Sequence, residues 1–101
     1  MPGDWAGRHL LLCNRSAVQL QLGRKEAALA DARAAVAAAP AGHHTSHVRL
    51  IDCLFACGQL EEARGALGAA EAADPGFRGV PEYRAIAQAL GVKPAGRAAG
   101  R

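Results

Sequence analysis

Large aromatic side chains are scarce in this sequence. Trp5, Phe55, Phe77 and Tyr83 are the only four among 101 residues. About a quarter of the chain is alanine, which contributes little buried area. A core built from such material must come from close approach of helices rather than from bulky side chains, and marginal stability is the expectation. Long apolar runs are missing as well. The run Leu10–Cys13 is too short for a secretory signal, and no stretch approaches the roughly 18 apolar residues of a membrane span. A disulfide framework is also lacking, because three cysteines without regular spacing fit a reducing compartment better than an oxidising one. These absences point to a soluble, cytoplasmic chain with no membrane partner.

A basic surface is the last thing not found. Arg and Lys balance Asp and Glu, nine against nine, over residues 1–91, and the net charge of +3 comes from Lys93, Arg97 and Arg101. The excess is a basic tail and not a basic face, which argues against nucleic-acid binding. At this length the chain is one domain at most, and with half its residues hydrophobic it is globular rather than disordered.

What the sequence does contain is a repeat. A shift of 35 residues lays Gly23 on Gly58, Glu26 on Glu61, Ala28 on Ala63 and Pro40 on Pro75. It also lays Ala34, Ala35, Ala37 and Ala38 on Ala69, Ala70, Ala72 and Ala73. Alanine matches carry little weight in so alanine-rich a chain, but glycine and proline fix backbone geometry. Each unit reads as helix, tight turn, helix. The first helix spans about residues 8–22, with Leu11, Leu12, Val18 and Leu22 at helical spacing, and Gly23 ends it. The second runs from about Arg24 to Ala39 and stops before Pro40. In the second unit Thr45 or Ser46 is the expected cap, Gly58 the stop, and the partner helix reaches Asp74 before Pro75. Gly65 and Gly68 are expected to loosen that helix by about 1 kcal/mol each. A fifth helix follows over about residues 80–91, with Pro81 and Glu82 in its first turn and Tyr83, Ile86, Ala87 and Leu90 along one face.

Helix–turn–helix units of this length, with small residues at fixed inner positions and a closing proline, resemble the tetratricopeptide repeat. The resemblance covers about residues 9–90. Its departures are Gln19 and Lys25, at positions where the family has bulky aromatics, Leu54 and Leu60 at the same positions of the second unit, and Ile51 where a small residue is usual. The fold it implies is all-α: an α–α superhelix of two repeat units, about 8–40 and 43–75, with a C-terminal capping helix. Residues 1–7 form an extension, in which Trp5 is expected to pack on the first helix, and residues 92–101 a flexible basic tail.

The stretch NRSAVQLQLGRKEAALADARAAV, starting at Asn14, is similar to the middle repeat of co-chaperones that grip the acidic C-terminal tails of heat-shock chaperones. That resemblance implies a peptide groove in which Asn14 holds a carboxylate, with Arg49 one period on and Arg84 a further 35 residues on. Cys13, Ala17, Thr45, Val48 and Asp52 complete the implied peptide-binding surface, and Thr45 stands where the subgroup has a lysine. The chemistry is coherent, since an asparagine amide and an arginine fork both suit a carboxylate. Two plainer roles compete with it. Asp52, three residues after Arg49, can neutralise it as an ordinary helical pair, and Arg15 and Arg84 can be solvated faces. Besides the peptide-binding module, the sequence therefore allows a structural scaffold fragment that completes a larger helical-repeat assembly.

Other chemistry finds little support. His43 and His47, and Cys53 and Cys57, are spaced to share helical faces, but His47 and Cys53 are separated by roughly 240° and 9 Å on one helix and cannot meet at one metal ion. No nucleophile motif or phosphate-cradling loop is present, so neither a metal, a cofactor nor an enzyme activity is expected. The groove positions carry no aromatic residue on which a base could stack.

Overall fold

The computed structural model describes residues 7–92; Trp5 and the tail bearing Lys93, Arg97 and Arg101 lie outside the described residues. Five helices follow one another: α1 (Arg8–Gln21), α2 (Lys25–Ala38), α3 (His44–Ala56), α4 (Leu60–Ala73) and α5 (Tyr83–Ala89). A 3-10 turn over Pro75–Gly79 joins α4 to α5. The class is all-α, with α1–α2 and α3–α4 forming two helical hairpins, and α1 and α2 both packing on α3.

The hairpins turn where glycine permits it. Gly23 has φ +83° and Gly58 has φ +78°, the left-handed region that other residues avoid. At the first turn Arg24 N donates to Gln19 O at 2.8 Å and Gly23 N to Leu20 O at 3.1 Å. At the second, Gln59 N donates to Leu54 O at 2.9 Å and Gly58 N to Phe55 O at 3.0 Å. This paired bonding satisfies carbonyls that a helix end otherwise leaves open. The same arrangement recurs at the end of α5, where Gly91 has φ +71° and Val92 N donates to Ala87 O at 2.8 Å. The fifth helix therefore ends as α1 and α3 do, in the manner of a first helix of a third unit.

Several local expectations are corrected. Neither Thr45 nor Ser46 caps α3: His43 holds the cap position without a side-chain bond, and Ser46 Oγ donates back to His43 O at 2.9 Å from inside the helix. The fifth helix starts at Tyr83 rather than near residue 80, because Val80–Glu82 are spent turning the chain out of the 3-10 segment. Along α1, Leu11, Val18 and Leu22 are 52%, 54% and 62% exposed, although their spacing reads as a core stripe. Of the expected stripe only Leu12 is buried, and the rest of the buried face is His9, Cys13 and Ser16. Arg15 is exposed, as expected, but is also a bidentate partner of Asp31, at 2.7 and 2.9 Å, which ties α1 to α2.

Alanine is prominent in the core. Ala28, Ala32, Ala63, Ala70 and Ala87 are fully buried in one cluster with Ile51, Leu54 and Leu67, and Ala35 is buried in a second with Leu12 and Cys13. Ser16 Oγ donates to Ala28 O at 2.8 Å and contacts Cys53 Sγ at 3.3 Å, so the buried hydroxyl is satisfied where α1, α2 and α3 meet. Phe77, the largest fully buried side chain, closes the far end against His44, His47 and Tyr83. Arg64 Nε donates to Leu90 O at 2.8 Å and Tyr83 Oη to Glu71 Oε2 at 2.5 Å, holding α5 against α4.

Within α4, a Cβ added at Gly65 or Gly68 meets no neighbouring atom within 4 Å. Their only effect on the helix is entropic, so Gly65→Ala and Gly68→Ala should each raise the free energy of unfolding by about 1 kcal/mol in urea titrations.

Candidate functional site

The positive-φ glycines that end α1, α3 and α5 define a common register for these helices. Counting back nine residues from Gly23, Gly58 and Gly91 gives Asn14, Arg49 and Glu82. The step from the first glycine to the second is 35 residues and from the second to the third 33, because the 3-10 turn shortens the return to α5. The acid Glu82, rather than Arg84, therefore continues the line from Asn14 through Arg49. Arg84 is exposed and lines neither of the cavities described below.

Between α3 and α5 the surface opens into a groove. Its larger part, about 470 Å³, lies at the N-terminal ends of both helices and is lined by Thr45, Val48, Arg49, Asp52 and Glu82 together with His43, His44 and Pro81. A smaller part, about 290 Å³, continues along the helices over Ile51, Phe55, Ala85, Ile86 and Ala89. Val48, Asp52 and Glu82 line both parts, which makes them one continuous trough. Of the expected site residues, Thr45, Val48, Arg49 and Asp52 come together here. Cys13 is buried behind them, while Asn14 and Ala17 lie on α1 and border neither cavity.

Arg49 is half-buried, and its Nε is fully buried without a hydrogen-bond partner. A buried guanidinium N–H left unpaired carries the full desolvation penalty of a charged donor. Its charge is felt by its surroundings. Burial pushes the Cys13 thiol up, and Arg49 partly offsets the rise. The Asp52 carboxyl is also raised, first by burial against the groove wall; Arg49 pulls it down and Glu82 pushes it up. Among the described residues, neither Arg49, Asp52 nor Glu82 has an ion-pair partner within 4 Å. The pairing of Arg49 with Asp52 expected from their spacing is a longer-range attraction rather than a contact.

All four histidines of the chain gather beside the mouth of the groove. His9 from α1 meets His43 edge-on at 4.5 Å between ring centres. His44 Nε2 is hydrogen-bonded to Asp74 Oδ2 at 2.8 Å, and Asp74 Oδ1 also accepts from Gly76 N. His47 and His44 both present their rings edgewise to Phe77. His43 Nδ1 is buried and unpartnered. Among the described residues no three His, Cys, Asp or Glu side chains are arranged to hold a metal ion, and no helix is long and apolar enough to cross a membrane.

Glu82, Phe55 and Ala85 were not legible as groove residues from the 35-residue shift. Counting from glycine to glycine finds Glu82 and Ala85, because it follows the backbone feature that ends each inner helix. Phe55 carries no such signal, since its position in the first unit is Leu20, a partly buried core residue.

The histidine cluster makes stability depend on pH. His43 is held below its ordinary value of 6.5, first by burial and then by repulsion from His9, His44 and His47. His47 is lowered by burial and by His44, with Asp74 opposing. The unfolded chain thus takes up protons more readily, so the stabilisation is complete above about pH 6.5 and is lost as pH falls through the depressed folded values. The melting temperature should drop between pH 7 and 5, and in a His43→Gln, His47→Gln variant this drop should flatten, as read by circular dichroism. No protein-family model, no curated protein and no solved structure matches this chain.

Proposed function

We propose that this chain is a tetratricopeptide-like interaction module that captures an extended peptide in the groove between α3 and α5, with Arg49 holding a carboxylate of the partner. The observation that carries this reading is Arg49 itself, a half-buried guanidinium lining the groove with no ion-pair partner within 4 Å among the described residues. A carboxylate in the groove that accepts from the Nη groups of the fork gives this unpaired cation a charge-assisted partner. The resemblance around Asn14 extends the reading to an acidic C-terminal tail such as those of heat-shock chaperones, with Asn14 itself on α1 outside the groove. In this role the chain is a cytoplasmic binding protein and not an enzyme.

A labelled acidic peptide should bind more tightly as its free C-terminal acid than as its C-terminal amide. The Arg49→Ala variant should weaken the acid form by about tenfold, the scale of one charge-assisted bond in a half-buried site. Equal affinities for acid and amide, or an unchanged affinity in the variant, would remove Arg49 from this role.

A scaffold role has its own supporting observation: the exposed Leu11, Val18 and Leu22 on the face of α1 turned away from the core. A helix with apolar side chains on opposite faces suits burial on both. Sedimentation velocity separates the two readings. A monomer over a wide concentration range is expected for peptide capture, whereas self-association abolished by Val18→Lys would favour assembly through α1.

A further inference from the structure

The groove is not uniformly cationic. Arg49 is the sole positive side chain lining either part of it among the described residues, histidines aside, and two carboxylates, Asp52 and Glu82, stand on the rim shared by both parts. An acidic partner satisfies Arg49 but meets repulsion at Asp52 and Glu82. Beneath these acids the floor is apolar, formed by Ile51, Phe55, Ala85 and Ile86. Phe55 remains 48% exposed, a half-open ring next to two carboxylates.

We infer that the α3–α5 groove selects a partner segment of mixed charge, seating an aliphatic side chain over Phe55 and Ala85 and pairing a neighbouring lysine or arginine with Asp52 and Glu82. This rests on the proposed peptide capture and specifies what is captured. The argument is charge complementarity. Neither carboxylate is neutralised within 4 Å, so a cation placed between them gains two attractions without breaking an existing pair. The long stem of lysine or arginine can lie across Phe55 while its head group reaches the acids, adding a cation–π contact. Spacing sets the pattern of the partner. Arg49 and Asp52 are three residues apart on α3, roughly 4.5 Å along the axis, and an extended peptide advances roughly 3.3 Å per residue. The acidic and basic groups of the partner therefore lie one or two residues from each other, with the aliphatic side chain beside the basic one.

Three fluorescein-labelled pentapeptides test this: Ser-Leu-Xaa-Leu-Ala with Lys, Gln or Glu at Xaa, each as free acid and as amide so that the C-terminus is the only carboxylate besides Xaa, titrated by fluorescence anisotropy. The lysine peptide should bind about fivefold more tightly than the glutamine one, the glutamate peptide more weakly still, and added salt should narrow the spread. In Asp52→Asn, Glu82→Gln the order Lys, Gln, Glu should collapse while the preference for acid over amide persists. If wild type does not discriminate among the three, or the double variant keeps the order, the inference is overturned and Arg49 capture still stands on its acid–amide difference. If the order is present but acid and amide bind equally, the cation site stands and the role of Arg49 falls. Absence of binding by every peptide overturns both. A dimer in sedimentation that Ala85→Arg dissociates assigns the groove to a second copy and overturns the inference as well.

Discussion

Two helices that meet through alanine lie closer than two that meet through leucine, and this chain depends on that closeness. Ala28 and Ala32 on α2, and Ala63 and Ala70 on α4, are fully buried. Each loses little side-chain entropy on burial but also contributes little apolar area. The gain lies in contact density, because backbones that approach closely collect dispersion contacts along their length. Fine tolerance to volume follows. A larger residue at a crossing forces the helices apart and disturbs every contact down the interface, whereas surface positions on α1 tolerate Leu11, Val18 and Leu22 half out in water.

Close backbone approach raises the cost of any unsatisfied polar group, so polar fasteners sit at the same junctions. Ser16 occupies the meeting point of three helices only because its hydroxyl finds the Ala28 carbonyl. Arg15 and Asp31 join α1 to α2, and Arg33 and Glu62 join α2 to α4 at 2.6 Å. At the other end, Phe77 provides what the alanines cannot, one large ring that fills the space below α3 and α5. It draws His44 and His47 around it, and Asp74 fixes His44 in turn. The pH response of the fold and the shape of the groove mouth thus share the same few side chains.

The helical hairpins were legible because glycine and proline act locally. A left-handed turn needs no knowledge of distant contacts, and residues before Pro40 and Pro75 adopt extended backbone wherever they occur: Ala39 has ψ 145° and Asp74 has φ −149°. The buried face of α1 was not legible. Hydrophobic spacing named Leu12 correctly, but it passed over the polar or small His9, Cys13 and Ser16, which take the buried face while Leu11, Val18 and Leu22 stay exposed. Capping of α3 failed for a similar reason. Ser46 is buried at 0% exposure, and its hydroxyl turns to the nearest carbonyl rather than to the free N–H groups. Half of the groove was found by projecting Arg49, Thr45, Val48 and Asp52 onto one face. The other half comes from α5, and its side chains follow from a turn geometry that no fixed period describes.

That turn decides the electrical character of the groove. Had the second step matched the first, Arg84 would continue the row of Asn14 and Arg49, and an acidic peptide would meet a neutral amide and then two cations. The 3-10 segment and the short turn after it remove two residues from the step, and Glu82 arrives in line instead. The row then reads neutral, positive, negative. Within the groove only the positive Arg49 and the negative Asp52 and Glu82 remain, so a mixed-charge segment laid along it would have a preferred direction. The charges and the apolar floor of the trough thus both lie on α3 and at the start of α5, and no residue of α1 lines either part of it.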